Sequence, residues 1–169
     1  WYDTPGAGYG FVGGSPFVTG QKNLRNRVAR VTIKETGNTN NINNYDRASH
    51  YSYDVHGNVH TIVQENRLGP LVNLNQQYKK TEYKYDLISG KVNEVQYQSG
   101  LPDAFYHRYQ YDADNRITKV QTSINQKIWR RDAKYFYYKH GPLARIELGQ
   151  DKVQANDYAY TIHGWLKSV

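Results

Sequence analysis

The 169-residue chain holds six histidines and fifteen carboxylates but no cysteine, so disulfide and thiolate chemistry are excluded from the start. His56, His140 and His163 each stand immediately before a glycine, a position that reads as a polar place in a turn. His50, His60 and His107 lie beside tyrosines or on strand-like stretches, without the two-histidine-plus-carboxylate spacing of a metal site. Asp54, Asp86, Asp112 and Asp114 invite comparison with the paired carboxylates of glycoside cleavage. Three of them, however, are one recurring position seen three times, which points to structure. No serine sits in a Gly-x-Ser-x-Gly setting. Gly8-Tyr-Gly10-Phe-Val-Gly13 matches the dinucleotide fingerprint Gly-x-Gly-x-x-Gly, but that pattern counts only between a strand and a helix, and no helical pattern follows it. The sequence therefore assigns no catalytic, cofactor or metal residue, and it reads as a chain that is not an enzyme.

Charge and composition narrow the class further. The 22 lysines and arginines give a net charge of +7 and a pI near 9.4. They are scattered, the densest group being Lys22, Arg25, Arg27 and Arg30. That distribution suits solvated strand faces, not the clustered patch of a nucleic-acid binder. Hydrophobic residues make up 38% and the mean hydropathy is −0.88, so aliphatic material for a core is scarce. Aromatics compensate, with 17 Tyr, 4 Phe and 3 Trp. A tyrosine buries a large ring while its hydroxyl stays wet or hydrogen-bonded, and this richness in rings argues against disorder. No run approaches the roughly 20 apolar residues of a membrane span, and no signal peptide stands out. The chain lacks methionine even at Trp1, which reads as a processed product or a piece of a longer polypeptide.

Internal repetition decides the architecture. Five segments align on a tyrosine pair: Tyr51-Ser-Tyr53-Asp54, Tyr83-Lys-Tyr85-Asp86, Tyr109-Gln-Tyr111-Asp112, Tyr135-Phe-Tyr137-Tyr138 and Tyr158-Ala-Tyr160-Thr161. After each pair comes a residue tolerant of positive φ: Gly57, Gly90, Asn115, Gly141 and Gly164. The second tyrosines are spaced by 32, 26, 26 and 23 residues, and ten of the 17 tyrosines belong to these pairs.

One unit can be read physically. Tyr-x-Tyr places two rings on the same face of a strand, because side chains alternate. The following aspartate accepts backbone amides two residues on and starts a turn. An apolar residue then opens the returning strand and a second follows three later, as Val59 and Ile62 do. A spacing of three breaks strict alternation and predicts a bulge. Each unit reads as a β-hairpin, with tips at 54–57, 86–90, 112–115, 138–141 and 161–164. Stretches such as Arg67-Leu-Gly-Pro70 and Ser99-Gly-Leu-Pro-Asp103 read as links. Helix is expected to be nearly absent, and the fold class is all-β, consecutive antiparallel hairpins forming a ribbon.

Residues 1–44 differ from the five repeats of 45–169. Glycines and prolines at 5–20 argue an irregular loop, 27–35 a strand alternating around Val31 and Ile33, and the Asn-rich run 37–44 a flexible turn.

Tyr109-Gln-Tyr-Asp-Ala-Asp-Asn-Arg-Ile-Thr-Lys-Val120 closely resembles the YD-repeat consensus. From Tyr45 to Val169 the chain is similar to the Rhs or YD-repeat proteins, a group spanning bacterial Rhs toxins, Tc-toxin shell subunits and teneurins. The resemblance implies a hairpin ribbon spiralling into a hollow shell, secreted or displayed on the bacterial surface. It implies as partners the flanking repeats, an enclosed C-terminal toxin or effector, and secretion machinery. In toxin members the cargo is released by self-cleavage at an Asp-Pro-containing motif; this chain contains no Asp-Pro pair. The expected function is thus a wall segment, with carbohydrate binding or surface adhesion by the tyrosine-rich hairpins as the alternative. No cofactor, nucleic acid or membrane span is expected.

Overall fold

A computed structural model describes residues 21–35 and 45–169. The glycine- and asparagine-rich segments at 1–20 and 36–44, and the Gly-x-Gly-x-x-Gly match with them, lie outside the described residues. Twelve strands and one short helix follow in order: β1 (Arg30–Ile33), β2 (Arg47–Tyr53), β3 (Val59–Asn66), α1 (Gly69–Asn73), β4 (Tyr78–Tyr85), β5 (Val92–Tyr97), β6 (Phe105–Tyr111), β7 (Ile117–Ser123), β8 (Arg130–Tyr137), β9 (Leu143–Leu148), β10 (Gln154–Asp157), β11 (Ala159–Tyr160) and β12 (Leu166–Ser168). The first ten are hydrogen-bonded to one another in chain order, and β11 pairs with β12 in a separate two-stranded sheet. The all-β hairpin ribbon expected from the repeats is the fold observed.

All five tips fall where the sequence puts them, and the reason is backbone geometry. Gly57, Gly90, Gly141 and Gly164 have φ of 95°, 68°, 117° and 79°, and Asn115 has 60°. In four hairpins the amide of this residue donates to the carbonyl three positions back: Gly57 to Asp54, Asn115 to Asp112, Gly141 to Tyr138 and Gly164 to Thr161. The same turn is thus closed by a left-handed residue that re-enters the ladder as a bulge. In the second hairpin the loop is one residue longer, and Gly90 reaches Asp86 four positions back.

The second bulge also appears. Ser52 faces Thr61 while Tyr53 faces Val59, leaving His60 out of register. Gln110 faces Lys119 while Tyr111 faces Ile117, leaving out Thr118. Phe136 faces Arg145 while Tyr137 faces Leu143, leaving out Ala144. The extra residue turns the spacing of three into a common face. Tyr51 and Tyr53 stand opposite Ile62 and Val59, Tyr109 and Tyr111 opposite Val120 and Ile117, and Tyr135 and Tyr137 opposite Ile146 and Leu143. Directly opposed aromatic–aliphatic pairs of this kind contribute up to about 1 kcal/mol each.

The chain forms two compact units. The first comprises residues up to Tyr83 with Tyr97–Gly100. Its buried side chains include Leu24, Ala29, Ala48 and Val63, and Val63 is fully enclosed. The segment before β1 runs beside β2: Tyr51 donates its amide to Ala29 and Tyr53 to Lys22, and Gln21 Nε2 donates to the Ala29 and Tyr51 carbonyls at 2.6 and 2.9 Å. The strand expected over 27–35 is shorter, Arg30–Ile33. The link at 67–70 leads into α1, with Pro70 in the first turn, where a missing amide costs nothing.

The second unit comprises Lys84–Gln96 and Leu101–Val169. It contains the β6–β7 and β8–β9 hairpins, β10 and the β11–β12 hairpin. The links between hairpins are tighter than the sequence suggests, because β7 pairs with β8 and β9 with β10.

Replacing Asn115 tests the turn. Its φ of 60° is free for glycine and costs a Cβ-bearing residue about 1 kcal/mol. Asn115→Gly is expected to be neutral to slightly stabilising and Asn115→Ala to be destabilising by about 1 kcal/mol, read by chemical denaturation. Equal midpoints for the two variants would refute the assignment.

Candidate functional site

Some of the repeat positions build a recurring device around the hairpin turns. Its first part is the turn clasp. Asp54 Oδ1 accepts the His56 amide at 2.9 Å and the Asn58 amide at 2.8 Å. Asp112 Oδ1 does the same for Asp114 at 3.0 Å and Arg116 at 2.9 Å. In the longer second loop Asp86 Oδ2 accepts the Ser89 amide and hydroxyl. These donors hold the carboxyls below the usual range: the Arg116 amide foremost for Asp112, the Ser89 hydroxyl for Asp86. For Asp54, partial dehydration works the other way, and the amides and side chain of Asn58 and the amides of His56 and Gly57 outweigh it.

The two repeats that lack aspartate show why the clasp is dispensable there. Thr161 Oγ1 accepts the Trp165 amide at 3.1 Å, the same bond with a shorter side chain. Tyr138 has no acceptor to offer, but the residue four positions on is Pro142, which has no amide to satisfy. Acceptor and donor have disappeared together. At this turn no amide is left waiting for the missing acceptor.

The second part is a latch to the preceding strand. Tyr53 donates its hydroxyl to the Val28 carbonyl at 2.9 Å, Tyr111 to Val92 at 2.7 Å and Tyr137 to Ile117 at 2.7 Å. Val92 and Ile117 are each the first apolar residue after the previous turn. Burial pushes all three phenols above their usual pKa. The rings are half-buried, so the paired tyrosines are less enclosed than a fully buried core position.

A cation completes the device. The Arg116 guanidinium lies 4.6 Å from the Tyr137 ring centroid, and its Nη1 donates to the Gly141 carbonyl at 3.3 Å. Arg27 lies 5.5 Å from the Tyr53 ring and so close to Gly57 that a Cβ there would meet Nη2 at 2.6 Å. Asn26 has φ of 56°, and Arg27 donates its amide to Leu24. Asn26-Arg-Val-Ala-Arg-Val31 therefore resembles Asn115-Arg-Ile-Thr-Lys-Val120 in sequence and in the positive φ of its asparagine, although its turn closes one residue later, at the Arg27 amide. Its arginine and its acceptor for the Tyr53 hydroxyl make it equivalent to the returning strand of a repeat, though no tyrosine pair marks it in the sequence.

The sequence also hides a polar inner face. In the first unit Glu65 is buried and binds three partners: Tyr45 Oη donates at 2.9 Å, His50 Nε2 lies at 3.0 Å, and Arg67 Nε donates at 2.6 Å. Burial alone would raise its pKa, but these bonds pull it from 4.5 down to about 2. Burial, with the neighbouring Glu65 charge, pushes Tyr45 up to about 12. In the second unit Glu94 gathers Gln96, Lys84 and Arg108, and Arg108 lies 3.7 Å over Trp129. Glutamines finish the ladders where strands end. Gln98 Oε1 accepts the Lys80 amide at 2.7 Å, and Gln150 Oε1 accepts the Arg131 amide at 2.9 Å.

These contacts occupy the side chains that suggested chemistry. The turn carboxylates are used within their own turns. His56, His140 and His163 are exposed at the tips, and His107 stacks on Tyr109 and meets Phe105 edge-to-face. Among the described residues no three His, Cys, Asp or Glu side chains come together as a metal site. Among them, too, no helix is long and apolar enough to cross a membrane.

Comparison with known proteins gives a fold. No family model matches the chain, and no curated protein matches its sequence. Among solved structures, it is similar to the crystal structure of TcdB2-TccC3 without its hypervariable C-terminal region, with a TM-score of 0.59 at 14% identity. The match covers 85% of this chain and 7% of that one. The chain thus has the fold of one stretch of a much longer polypeptide.

Two outcomes follow. Because Glu65 has a lowered pKa when folded, its contribution is complete above about pH 4.5 and is lost as pH falls towards 2. Denaturation at pH 3 and pH 6 should differ by about 2 kcal/mol on account of Glu65, a slope that Glu65→Gln largely removes; an unchanged slope would exclude this cluster as its source. At the fourth turn, Tyr138→Asp and Pro142→Arg should stabilise one another by about 0.5–1 kcal/mol in a double-mutant cycle, since together they restore acceptor and donor. Additivity would show that the clasp does not transfer.

Proposed function

We propose that this chain is a structural wall segment of an Rhs-like shell that encloses or presents a C-terminal toxin or effector lying outside the chain. The observation that carries the reading is the latch: a tyrosine hydroxyl in one hairpin bonded to the backbone of the one before, three times over. This is what a wall assembled from nearest-neighbour contacts requires. The likeness to a stretch of TcdB2-TccC3 supports it, as does the use of the turn carboxylates as backbone acceptors. On this reading the chain is not an enzyme, its partners are flanking repeats and an enclosed domain, and the polypeptide works outside the cell that makes it.

The half-exposed tyrosine face keeps one alternative, sugar stacking by an adhesion module. Tyr111 separates the two. As a wall residue, Tyr111→Phe loses the bond to Val92 at a cost of about 1 kcal/mol. Tyr111→Ala, losing half-buried ring as well, costs about 2–3 kcal/mol, and no glycan-array signal changes. Tyr111→Ala with wild-type stability and a lost glycan signal would replace the wall reading with the adhesion reading.

A further inference from the structure

Within the second unit, at the end of β6–β8 opposite the turns, a cavity of about 310 Å³ is lined by Phe105, Thr122, Ile124, Ile128 and Arg130 among others. That is the lower end of the ligand-pocket range of about 300–1,000 Å³. Its walls are mainly apolar, with Ser123 and Asn125 also in the lining, and Ile124 and Ile128 stay 73% and 67% exposed. No neighbouring strand covers them. The loop that carries them is held in shape by its own bonds. Ser123 Oγ accepts the Asn125 and Gln126 amides, and Asn125 Oδ1 accepts those of Lys127 and Ile128. Trp129 Nε1 donates back to the Gln126 carbonyl at 3.0 Å, with Arg108 against its ring. The pocket is therefore preformed, and a ligand would not have to order it.

The polar atoms of the loop are spent on this bracing; Arg130 is not. Among the described residues its guanidinium makes no hydrogen bond and no ion pair, although every other arginine on β8 and β9 is engaged: Arg131 with the Gly149 and Gln150 carbonyls and Arg145 with Glu147 and Asp157. Asp132, two residues further along β8, is committed elsewhere: its Oδ1 accepts the hydroxyl of Thr122, a pocket residue, at 3.0 Å. We infer that this cavity binds a small amphiphile with one anionic head, its hydrocarbon against Phe105, Ile124 and Ile128 and its carboxylate on Arg130. An apolar body answers the walls, and a single anion answers the one uncommitted fork donor. A neutral or cationic amphiphile would leave that donor unanswered.

The inference is tested on the full chain by methyl NMR with labelled isoleucines, titrating octanoate and 1-octanol. Octanoate should shift the Ile124 and Ile128 methyls saturably, and about five- to tenfold more tightly than octanol. Ile88 and Ile162, each 97% exposed at the turn end, serve as internal references and should stay still. Arg130→Gln should bring octanoate to within about twofold of octanol, and Asp132→Asn should tighten octanoate about twofold or more. The site is overturned if octanol matches octanoate on the wild-type chain, if Ile88 and Ile162 shift alike, or if Arg130→Gln leaves octanoate affinity unchanged.

Discussion

The structure rests on a phenol that looks backwards. A single two-stranded hairpin is marginal in water, and hairpins as polar as these have little aliphatic surface to bury. In Tyr53, Tyr111 and Tyr137 the second tyrosine of the pair supplies both terms at once. Its ring covers the aliphatic residue opposite it, and its hydroxyl reaches the preceding strand. The acceptor is available because of where the strand ladder ends. The β7–β8 register runs over Lys119–Thr122, so the Ile117 carbonyl lies beyond it, and the Tyr137 hydroxyl fills the place of a strand amide. Ladder and latch are consecutive parts of one seam.

That seam explains which features of the repeat vary and which do not. The positive-φ position is glycine or asparagine in all five hairpins, because no side-chain bond can substitute for a backbone shape. The aspartate can vary, since it answers an amide that another acceptor can take, as Thr161 does, or that a proline can remove, as Pro142 does. The arginine after the turn is kept where it spans two hairpins. Arg116 lies between its own Asp112 and the Tyr137 ring of the next unit, and Arg27 repeats the arrangement against Tyr53 and Gly57.

Much of this was legible in the sequence, and the boundary of legibility is physical. Turns carry local signatures, so Asp54 with Gly57 and Asp112 with Asn115 marked their tips to the residue. The bulge was legible too, because a spacing of three between Val59 and Ile62 has no other use in a strand. The burial pattern was not. Alternation tells which residues share a face but not which face is covered. Here Ser52 and Thr61 are buried while Tyr51 and Tyr53 are only half so. The glutamine ladder ends at Gln98 and Gln150 are long-range by 18 and 19 residues, beyond any local pattern. Asn26–Val31 escaped because no Tyr-x-Tyr pair precedes it in the sequence.

The buried carboxylates Glu65 and Glu94 show how such a sheet tolerates charge inside. A buried carboxylate is unfavourable unless its lone pairs are met. At Glu65 three donors from different stretches of chain converge, one of them a tyrosine and one an arginine that also lies 3.8 Å over that tyrosine's ring. Removing any one donor strands the rest, which ties segments 45–50 and 65–67 into a cooperative knot. Glu94 does the same for β5, β6 and the loop before β8, through Arg108 and Trp129. The tyrosine seam joins hairpins at Tyr53, Tyr111 and Tyr137, while the Glu65 knot fixes one hairpin and the Glu94 knot ties neighbouring ones together.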